Sequence, residues 1–195
     1  MAEQKITFFL VRHGEAQCNE KNIADCLPDD GRFPLTPDGI KQIEKIAKKL
    51  AKESIDVIVS SPMRRTKETA ALIAEHVRAP IEEDERLQEM SFGVFSGRSM
   101  EEFWKKYPDP KMRISPDPSD DIESIIQIRG RLKLFLDDMK ERYLGKKVVI
   151  VSHNEPLEQL HGVLTNESPG MSSVGWHPRE GMCVKVIWTM KISND

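Results

Sequence analysis

The chain has 195 residues, of which 38% are hydrophobic and 31% charged, and this balance is typical of one globular domain spanning residues 1–195. Its formal net charge of −3 excludes a general attraction for nucleic acid or for an anionic membrane surface. No apolar stretch approaches the roughly 18 residues of a membrane span, and the three cysteines are too irregularly spaced for a disulfide scaffold, so we expect a cytoplasmic location.

Strand and helix patterns alternate along the chain. Runs of Val, Ile, Leu and Phe predict strands at residues 8–11, 55–60, 147–151 and 182–188. Apolar residues at helical spacing predict helices at 37–52, 61–77, 122–143 and 156–164, the third of which has Ile126 on its buried stripe. Residues 87–97 read as an ordered loop, and residues 108–121, rich in Pro and Asp, as a loop or flap. This alternation favours a three-layer α/β/α sandwich with a mostly parallel central sheet.

Two of the predicted strands end in the same way, with one small or charged residue followed by a histidine. Residues 8–12 lead into His13, and residues 148–152 lead into His153. A third run, residues 56–61, leads into a stretch that contains Arg64 and Arg65. Because ligands bind beyond the carboxyl ends of parallel strands, these imidazoles and guanidiniums are expected at one rim of the sheet. The combination predicts a phosphate site.

His13 suits the role of a nucleophile, because a neutral imidazole can attack phosphorus and form a phosphohistidine. Arg12 beside it offers a rigid fork of donors that matches phosphate geometry. Gly14 has no Cβ, which would let the backbone approach a ligand closely. Arg64 and Arg65 lie in the first turn of a predicted helix, where free N–H groups favour an anion, although we expect Arg64 to be solvated.

The leaving alcohol of a phosphate ester also needs a proton, which a carboxylic acid with a raised pKa can supply. Glu89 is the first candidate, because its loop has apolar neighbours that could desolvate it. Glu15 is the other candidate, but we expect it to form a hydrogen bond at a loop or helix entry instead.

Five motifs follow one another over residues 5–160. They are Arg12-His13-Gly14-Glu15 with Asn19, the stretch 35–39, the stretch 61–70 with Arg65, the loop 89–97, and Val151-Ser152-His153. In this order they resemble the signature of the histidine phosphatase superfamily, also called the phosphoglycerate-mutase-like family. Each motif alone is weak, but five in order are a specific signal.

The resemblance implies a role for each of these residues. His13 would be the phosphorylated nucleophile, and Glu89 would be the proton donor and then the base that activates water. Asn19 would lie on the phosphate pocket. The residues implied to bind the phosphate and stabilise the transition state are Arg12, Arg65 and His153. The resemblance implies no metal ion and no other cofactor.

The chain departs from the family pattern at two positions. Ala16 stands where the family usually has Ser or Thr, so a hydroxyl contact is absent. Asn154 stands where Gly usually follows the second histidine, and we expect it beside the substrate, with the charge of Glu155 near the anion site. These departures indicate a subfamily trait or reduced activity.

Three functions remain open at this point. A metal-independent phosphomonoester hydrolase acting on a small phosphorylated metabolite is favoured. Phosphoglycerate mutases of this family resemble the first half equally well, but they usually carry a long basic insertion where residues 107–121 are short, proline-rich and acidic. A non-catalytic phospho-ligand-binding member is supported only by Ala16 and Asn154. In the fold that the chain resembles, residues 90–121 and 166–181 surround the pocket, so we expect specificity to lie there. The sequence specifies neither the substrate nor the oligomeric state.

Other features of the sequence carry no functional prediction. Cys26 and Arg32 have the spacing of cysteine-dependent phosphatases, but Pro28 removes a backbone donor and the two aspartates that follow would repel phosphate. We expect three histidines to be at the surface or structurally satisfied: His76, His161 and His177. Three aromatic residues could contact a substrate, but we expect them to belong to the core: Phe92, Phe95 and Trp104.

Overall fold

The computed structural model describes residues 4–171 and 175–190, with a five-stranded sheet at the centre. The strands are β1 (Gln4–Arg12), β2 (Val57–Ser60), β3 (Ile81–Glu83), β4 (Lys147–Ser152) and β5 (Cys183–Met190). They lie in the order β3-β2-β4-β1-β5, and every neighbouring pair is parallel except β1 with β5. The prediction of a mostly parallel sheet is therefore confirmed.

Helices cover both faces of this sheet. They are α1 (Gln17–Glu20), α2 (Pro37–Leu50), α3 (Arg64–Val77), α4 (Met100–Lys106), α5 (Ile125–Arg142) and α6 (Asn154–Leu164). Phe9 and Val11 of β1 are buried in one core cluster with α2 and α3, whereas Phe8 and Leu10 are buried in another with α5 and α6. Successive strand residues thus point to opposite faces, as the pleat requires, and the three-layer arrangement is confirmed.

The predicted helix boundaries are close to the observed ones, with physical reasons for the differences. Thr36 caps α2 as expected, because its hydroxyl oxygen accepts a hydrogen bond from the Gly39 amide at 3.0 Å. The helix predicted from residue 61 begins only at Arg64, because Met63 is its extended N-cap residue. Ile126 was wrongly placed on the buried stripe of α5, since its side chain is 52% exposed.

Short elements escaped prediction because they are too brief to show a period. These are α1, β3, α4 and the 3-10 turns at Glu85–Leu87, Gly93–Phe95, Pro110–Arg113 and Pro118–Asp120. The last two turns lie within the flap at 108–121, which is therefore ordered. Its Asp120 accepts hydrogen bonds from Tyr107 and Lys106, so the flap is attached to the end of α4. Across the described ranges 4–171 and 175–190, no helix is long and apolar enough to cross a membrane.

Gly14 and Gly39 meet where the segment after β1 crosses the first turn of α2. A Cβ on Gly39 would lie 2.0 Å from the Glu15 carbonyl oxygen, and one on Gly14 would lie 2.5 Å from the Gly39 carbonyl oxygen. The close approach expected at Gly14 is therefore to the α2 backbone. It fixes the chain immediately after His13.

We predict that Gly39→Ala destabilises the protein by about 1–3 kcal/mol, because the added methyl group overlaps rigid backbone. The measurement is the free energy of unfolding in urea. Gly130→Ala, on the exposed face of α5, is the matched control. A Cβ there meets nothing within 4 Å, so we expect the free energy of unfolding to rise by up to about 1 kcal/mol. An equal effect of the two substitutions would contradict this packing argument.

Candidate active site

A cavity of about 250 Å³ opens at the carboxyl ends of β1 and β4. Six of the seven side chains singled out in the sequence line this cavity: Arg12, His13, Asn19, Arg65, Glu89 and Asn154. The seventh, His153, lies directly behind His13, with the two ring centroids 5.2 Å apart at an interplanar angle of 62°. Residues from four separate parts of the chain are thus brought together as the strand-end pattern predicted.

His13 follows β1 and continues its pairing, since its amide donates to the Ser152 carbonyl oxygen at 3.1 Å. Its imidazole is 2% exposed. Nδ1 lies 2.7 Å from the Gly14 carbonyl oxygen, which can only accept, so the proton is on Nδ1 and Nε2 keeps its lone pair. Burial, with Arg65 and Arg12 nearby, holds the pKa of His13 well below 6.5. His13 is therefore a neutral imidazole whose Nε2 carries no proton.

His153 is the N-cap residue of α6 and is fully buried. Its Nε2 lies 2.8 Å from the Ser61 hydroxyl oxygen at the end of β2. Its Nδ1 is buried without a hydrogen-bond partner among the residues that the structure describes. Burial, followed by the charge of Arg65, holds the pKa of His153 well below 6.5. A neutral imidazole here has one nitrogen that a ligand oxygen could satisfy.

Arg65 lies in the first turn of α3 and is 3% exposed. Its Nε donates to His13 Nε2 at 3.2 Å, which aims the guanidinium at the predicted nucleophile. Its two terminal nitrogens are held by Asp25: Nη1 forms an ion pair with the carboxylate, and Nη2 donates to the carbonyl oxygen at 3.1 Å. Arg64 beside it is half-exposed and pairs with Glu68, as expected of a solvated helix residue.

Arg12 lies at the end of β1 and faces the same cavity from the other side. Its Nη1 donates to Asn154 Oδ1 at 3.2 Å and to the Pro178 carbonyl oxygen at 2.9 Å. Its Nη2 lies 2.6 Å from Glu180 Oε1. Each of the two cavity guanidiniums therefore has a carboxylate partner from a loop, and a phosphate would compete with those partners for the donors.

Glu89 lies in the loop after Glu85–Leu87 and is 9% exposed. Burial raises the pKa of this carboxyl from 4.5 to about 7, although Arg65 and Arg12 pull it down. Its Oε1 accepts a hydrogen bond from the Met90 amide at 2.9 Å, which fixes the carboxyl at the cavity wall. The other candidate acid, Glu15, accepts a hydrogen bond from the Thr36 hydroxyl at 2.7 Å, the structural role expected for it.

The comparisons with known proteins agree with this geometry. A family model described as histidine phosphatase superfamily (branch 1) matches residues 8–179. The chain belongs to this superfamily. It is 33% identical to phosphoserine phosphatase 1 of Hydrogenobacter thermophilus over 82% of this chain and 76% of that one. It is also 30% identical to a protein of Proteus mirabilis named probable phosphoglycerate mutase GpmB, over 80% of this chain and 69% of that one.

A solved structure supports the fold. Bacillus stearothermophilus YhfR superposes with a TM-score of 0.79 at 23% identity, covering 92% of this chain and 90% of that one. The assignment to the superfamily therefore rests on sequence similarity, and the assignment of the fold is supported by structural superposition. The substrate follows from neither.

The two departures from the superfamily pattern are accommodated without disturbing the cavity. Ala16 is fully buried in a small apolar cluster, and its amide is satisfied by Asn19 Oδ1 at 2.9 Å. The carboxylate of Glu155 lies 3.0 Å from Arg113 Nη2, with both side chains buried, so the charge expected near the anion site is compensated. Asn154 Oδ1 accepts from Arg12, so a side chain in place of glycine adds a contact to the predicted phosphate ligand.

Other side chains line the cavity that were not singled out as site residues, among them Asp25, Trp104, His177 and Glu180. The core assignment of Trp104 was wrong, since this residue is 41% exposed, whereas Phe92 and Phe95 are buried as expected. His177 forms an ion pair with Glu158, so it is structurally satisfied and also part of the cavity wall. Trp104 lies on α4, and His177 and Glu180 belong to the segment 166–181 in which specificity was expected. The loop of Asp25 carries no periodic pattern that could have placed it.

The cysteine-phosphatase spacing at Cys26 is excluded by position. Cys26 is buried outside the cavity, with its Sγ 3.1 Å from the Ser96 hydroxyl oxygen. Arg32 pairs with Asp30 at the surface. Among the residues at 4–171 and 175–190, no group of three or more His, Cys, Asp or Glu side chains could hold a metal ion.

We predict that Glu89→Gln stabilises the protein in a pH-dependent way. The folded state keeps the Glu89 proton up to about pH 7, whereas the unfolded chain releases it near pH 4.5. The stability contributed by this carboxyl is therefore present below pH 4.5 and lost as the pH rises through about 7. The variant escapes that loss, so it should exceed wild type by up to about 3 kcal/mol near pH 8 and only slightly near pH 5.

The measurement is urea unfolding at both pH values. Glu101→Gln, on the exposed side of α4, is the matched control and should show no such pH-dependent difference. A Glu89→Gln effect of the same size at both pH values would show that the Glu89 carboxyl titrates normally.

Proposed function

We propose that the protein hydrolyses phosphomonoesters of small metabolites through a phosphohistidine at His13, without a metal ion or other cofactor, in the cytoplasm. The observation that carries this proposal is the state of His13. Its Nδ1 is committed to the Gly14 carbonyl oxygen, and its Nε2 lone pair lies 3.2 Å from Arg65 Nε. Such an unprotonated nitrogen can attack phosphorus once Arg65 Nε turns from it to a phosphate oxygen.

In the first step, His13 Nε2 attacks phosphorus and the bond from phosphorus to the alcohol oxygen breaks. Glu89 gives its proton to that oxygen, a task for which a pKa of about 7 is suited at neutral pH. In the second step, the Glu89 carboxylate takes a proton from water while the water oxygen attacks phosphorus. The bond between nitrogen and phosphorus breaks, which restores neutral His13 and releases inorganic phosphate.

Arg12 and Arg65 would stabilise the negative charge on the transferred phosphoryl oxygens. Phosphoryl transfer depends mainly on positioning and on such charge stabilisation. The buried Nδ1 of His153 would donate a further hydrogen bond in the tautomer whose Nε2 accepts from the Ser61 hydroxyl. Asn19 and Asn154 line the cavity beside this site and would contact the substrate.

The size of the cavity supports a small substrate. About 250 Å³ is below the roughly 300–1,000 Å³ typical of ligand pockets, so a phosphoryl group with a short carbon chain fits better than a phosphoprotein. The resemblance to a phosphoserine phosphatase at 33% identity supports a phosphorylated metabolite of that size.

A mutase is the second candidate, favoured by the 30% identity to the protein named probable phosphoglycerate mutase GpmB. Hydrolysis is preferred because the only basic residues of the flap at 108–121 are Lys111 and Arg113. Arg113 is buried and paired with Glu155, so it is not available to a ligand. The flap thus offers little positive charge to hold a phosphorylated product for re-attack. Exchange of phosphate between the 2- and 3-positions of glycerate, faster than phosphate release, would reverse this preference.

We predict that phosphate release from a panel of phosphomonoesters survives EDTA and that His13→Ala lowers it by roughly 10³-fold or more, because the nucleophile is removed. Wild type quenched during turnover should carry an acid-labile, base-stable phosphoryl group. His76→Ala on α3, outside the cavity, is the control and should retain activity.

Circular dichroism would establish that the His13→Ala protein is folded. Turnover near the wild-type level in that variant would refute the phosphohistidine mechanism. Binding of vanadate without turnover of any ester by wild type would instead support a non-catalytic phospho-ligand-binding role.

The proton-donor role of Glu89 predicts a dependence on the leaving group. For an aliphatic ester, kcat/KM should fall as the pH rises through about 7, where Glu89 loses its proton. Glu89→Gln should lower kcat/KM for this ester by about 10²–10⁴-fold, but for p-nitrophenyl phosphate by about 10-fold or less, because p-nitrophenolate leaves without a proton. Equal losses for the two esters would assign Glu89 a structural role.

A further inference from the structure

The cavity has a second polar wall, away from the phosphate ligands, in which His177 is the central residue. Its side chain is 66% exposed, and its Nδ1 forms an ion pair with the Glu158 carboxylate, which is fully buried on α6. The Glu158 carboxylate can only accept, so His177 Nδ1 carries a proton and Nε2 is the remaining nitrogen for a ligand. A carboxylate-backed imidazole of this kind is a directed, charge-assisted donor when protonated.

Asn154 connects this wall to the phosphate end of the cavity. Its Nδ2 donates to Glu158 Oε1 at 3.0 Å, and its Oδ1 accepts from Arg12 Nη1 at 3.2 Å. One chain of hydrogen bonds therefore runs from Arg12 through Asn154 and Glu158 to His177. Glycine at position 154, the usual residue of the superfamily, could not make this connection.

The charges around His177 favour an anion as its ligand. Glu155 in the same wall already has a cationic partner, Arg113, so it does not compete for His177. The hydrogen bond with Glu158 raises the pKa of His177 above 6.5, although burial and Arg12 oppose this. Because His177 and the predicted phosphate ligands line one cavity of about 250 Å³, we expect the alcohol part of a substrate phosphorylated at its hydroxyl to lie near this donor.

We propose that His177 is a specificity residue that binds a carboxylate on the alcohol part of the substrate, so that the enzyme prefers phosphorylated hydroxy acids. This inference rests on the proposed hydrolase function. It assigns to the loop around residue 177 the recognition of the leaving group, separate from the phosphate ligands at the strand ends.

The test compares O-phosphoserine with O-phosphoethanolamine, which differ only by the carboxylate. Wild type should have the higher kcat/KM on O-phosphoserine. His177→Gln should raise KM for O-phosphoserine about 10-fold or more while leaving kcat and all constants for O-phosphoethanolamine within about twofold. Because residue 177 is exposed, the variant should fold, and His76→Gln is the matched control that should change neither substrate.

A second measurement follows the ratio of the two kcat/KM values against pH. Titration of His13 and Glu89 affects both substrates and cancels in this ratio. The ratio should fall above pH 6.5 as His177 loses its proton, and it should not change with pH in His177→Gln. Glu158 and Glu155 raise the pKa of His177, whereas Arg12 lowers it.

The outcomes separate this proposal from the proposed function. If wild type turns over p-nitrophenyl phosphate through His13 but does not distinguish the two esters, the carboxylate subsite is overturned and the hydrolase stands. Equal losses on both esters in His177→Gln would assign the residue a structural role and overturn the subsite as well. If wild type releases phosphate from none of the three esters, the hydrolase proposal fails first.

Discussion

The parallel pairing of β1 with β4 is the constraint on which the site depends. Arg12 lies opposite Ser152 in this ladder, and the next amide, that of His13, still bonds to the Ser152 carbonyl oxygen. The two histidines therefore leave the sheet side by side. A shift of β1 by one residue against β4 would move every β1 side chain to the opposite face of the sheet. Because β1 is packed on both faces, the two core clusters fix its register. Packing far from the site thus sets the distance between the imidazoles.

The same burial gives the site groups their reactivity. His13 and His153 remain neutral because their surroundings are dry and because Arg12 and Arg65 disfavour a further positive charge. Burial is the largest cause that raises the pKa of Glu89 to about 7, and the charge of Glu155 adds to it, whereas the two guanidiniums act against it. Stability is given up for such groups, because an unfolded chain would hydrate them freely. The buried groups of the cavity therefore lower the stability of the fold locally, and the hydrophobic core on both faces of the sheet compensates for this loss.

The sequence allowed prediction of those parts whose signal is repeated along the chain. Continuous apolar runs predict the strands, and the carboxyl ends of parallel strands share one rim, which predicts that His13 and His153 lie together. β3 was missed because its three residues are largely exposed and carry no apolar run. Asp25 and His177 were missed because their positions depend on how loops return to the cavity. Such loop paths are set by single tertiary contacts, which leave no pattern in the sequence.

A chain with a net charge of −3 can build a phosphate site because its cavity charges are compensated locally. A buried guanidinium without a counter-charge is costly, and here Asp25 pairs with Arg65 while Glu180 pairs with Arg12. In the proposed function, a bound phosphate would therefore replace one anion with another. The guanidiniums are fixed on β1 and α3, whereas both carboxylates belong to loops, so the anion that yields is the one on the more adaptable segment. This division explains why regular elements carry the predicted phosphate ligands and why the loops are free to determine which ester is accepted.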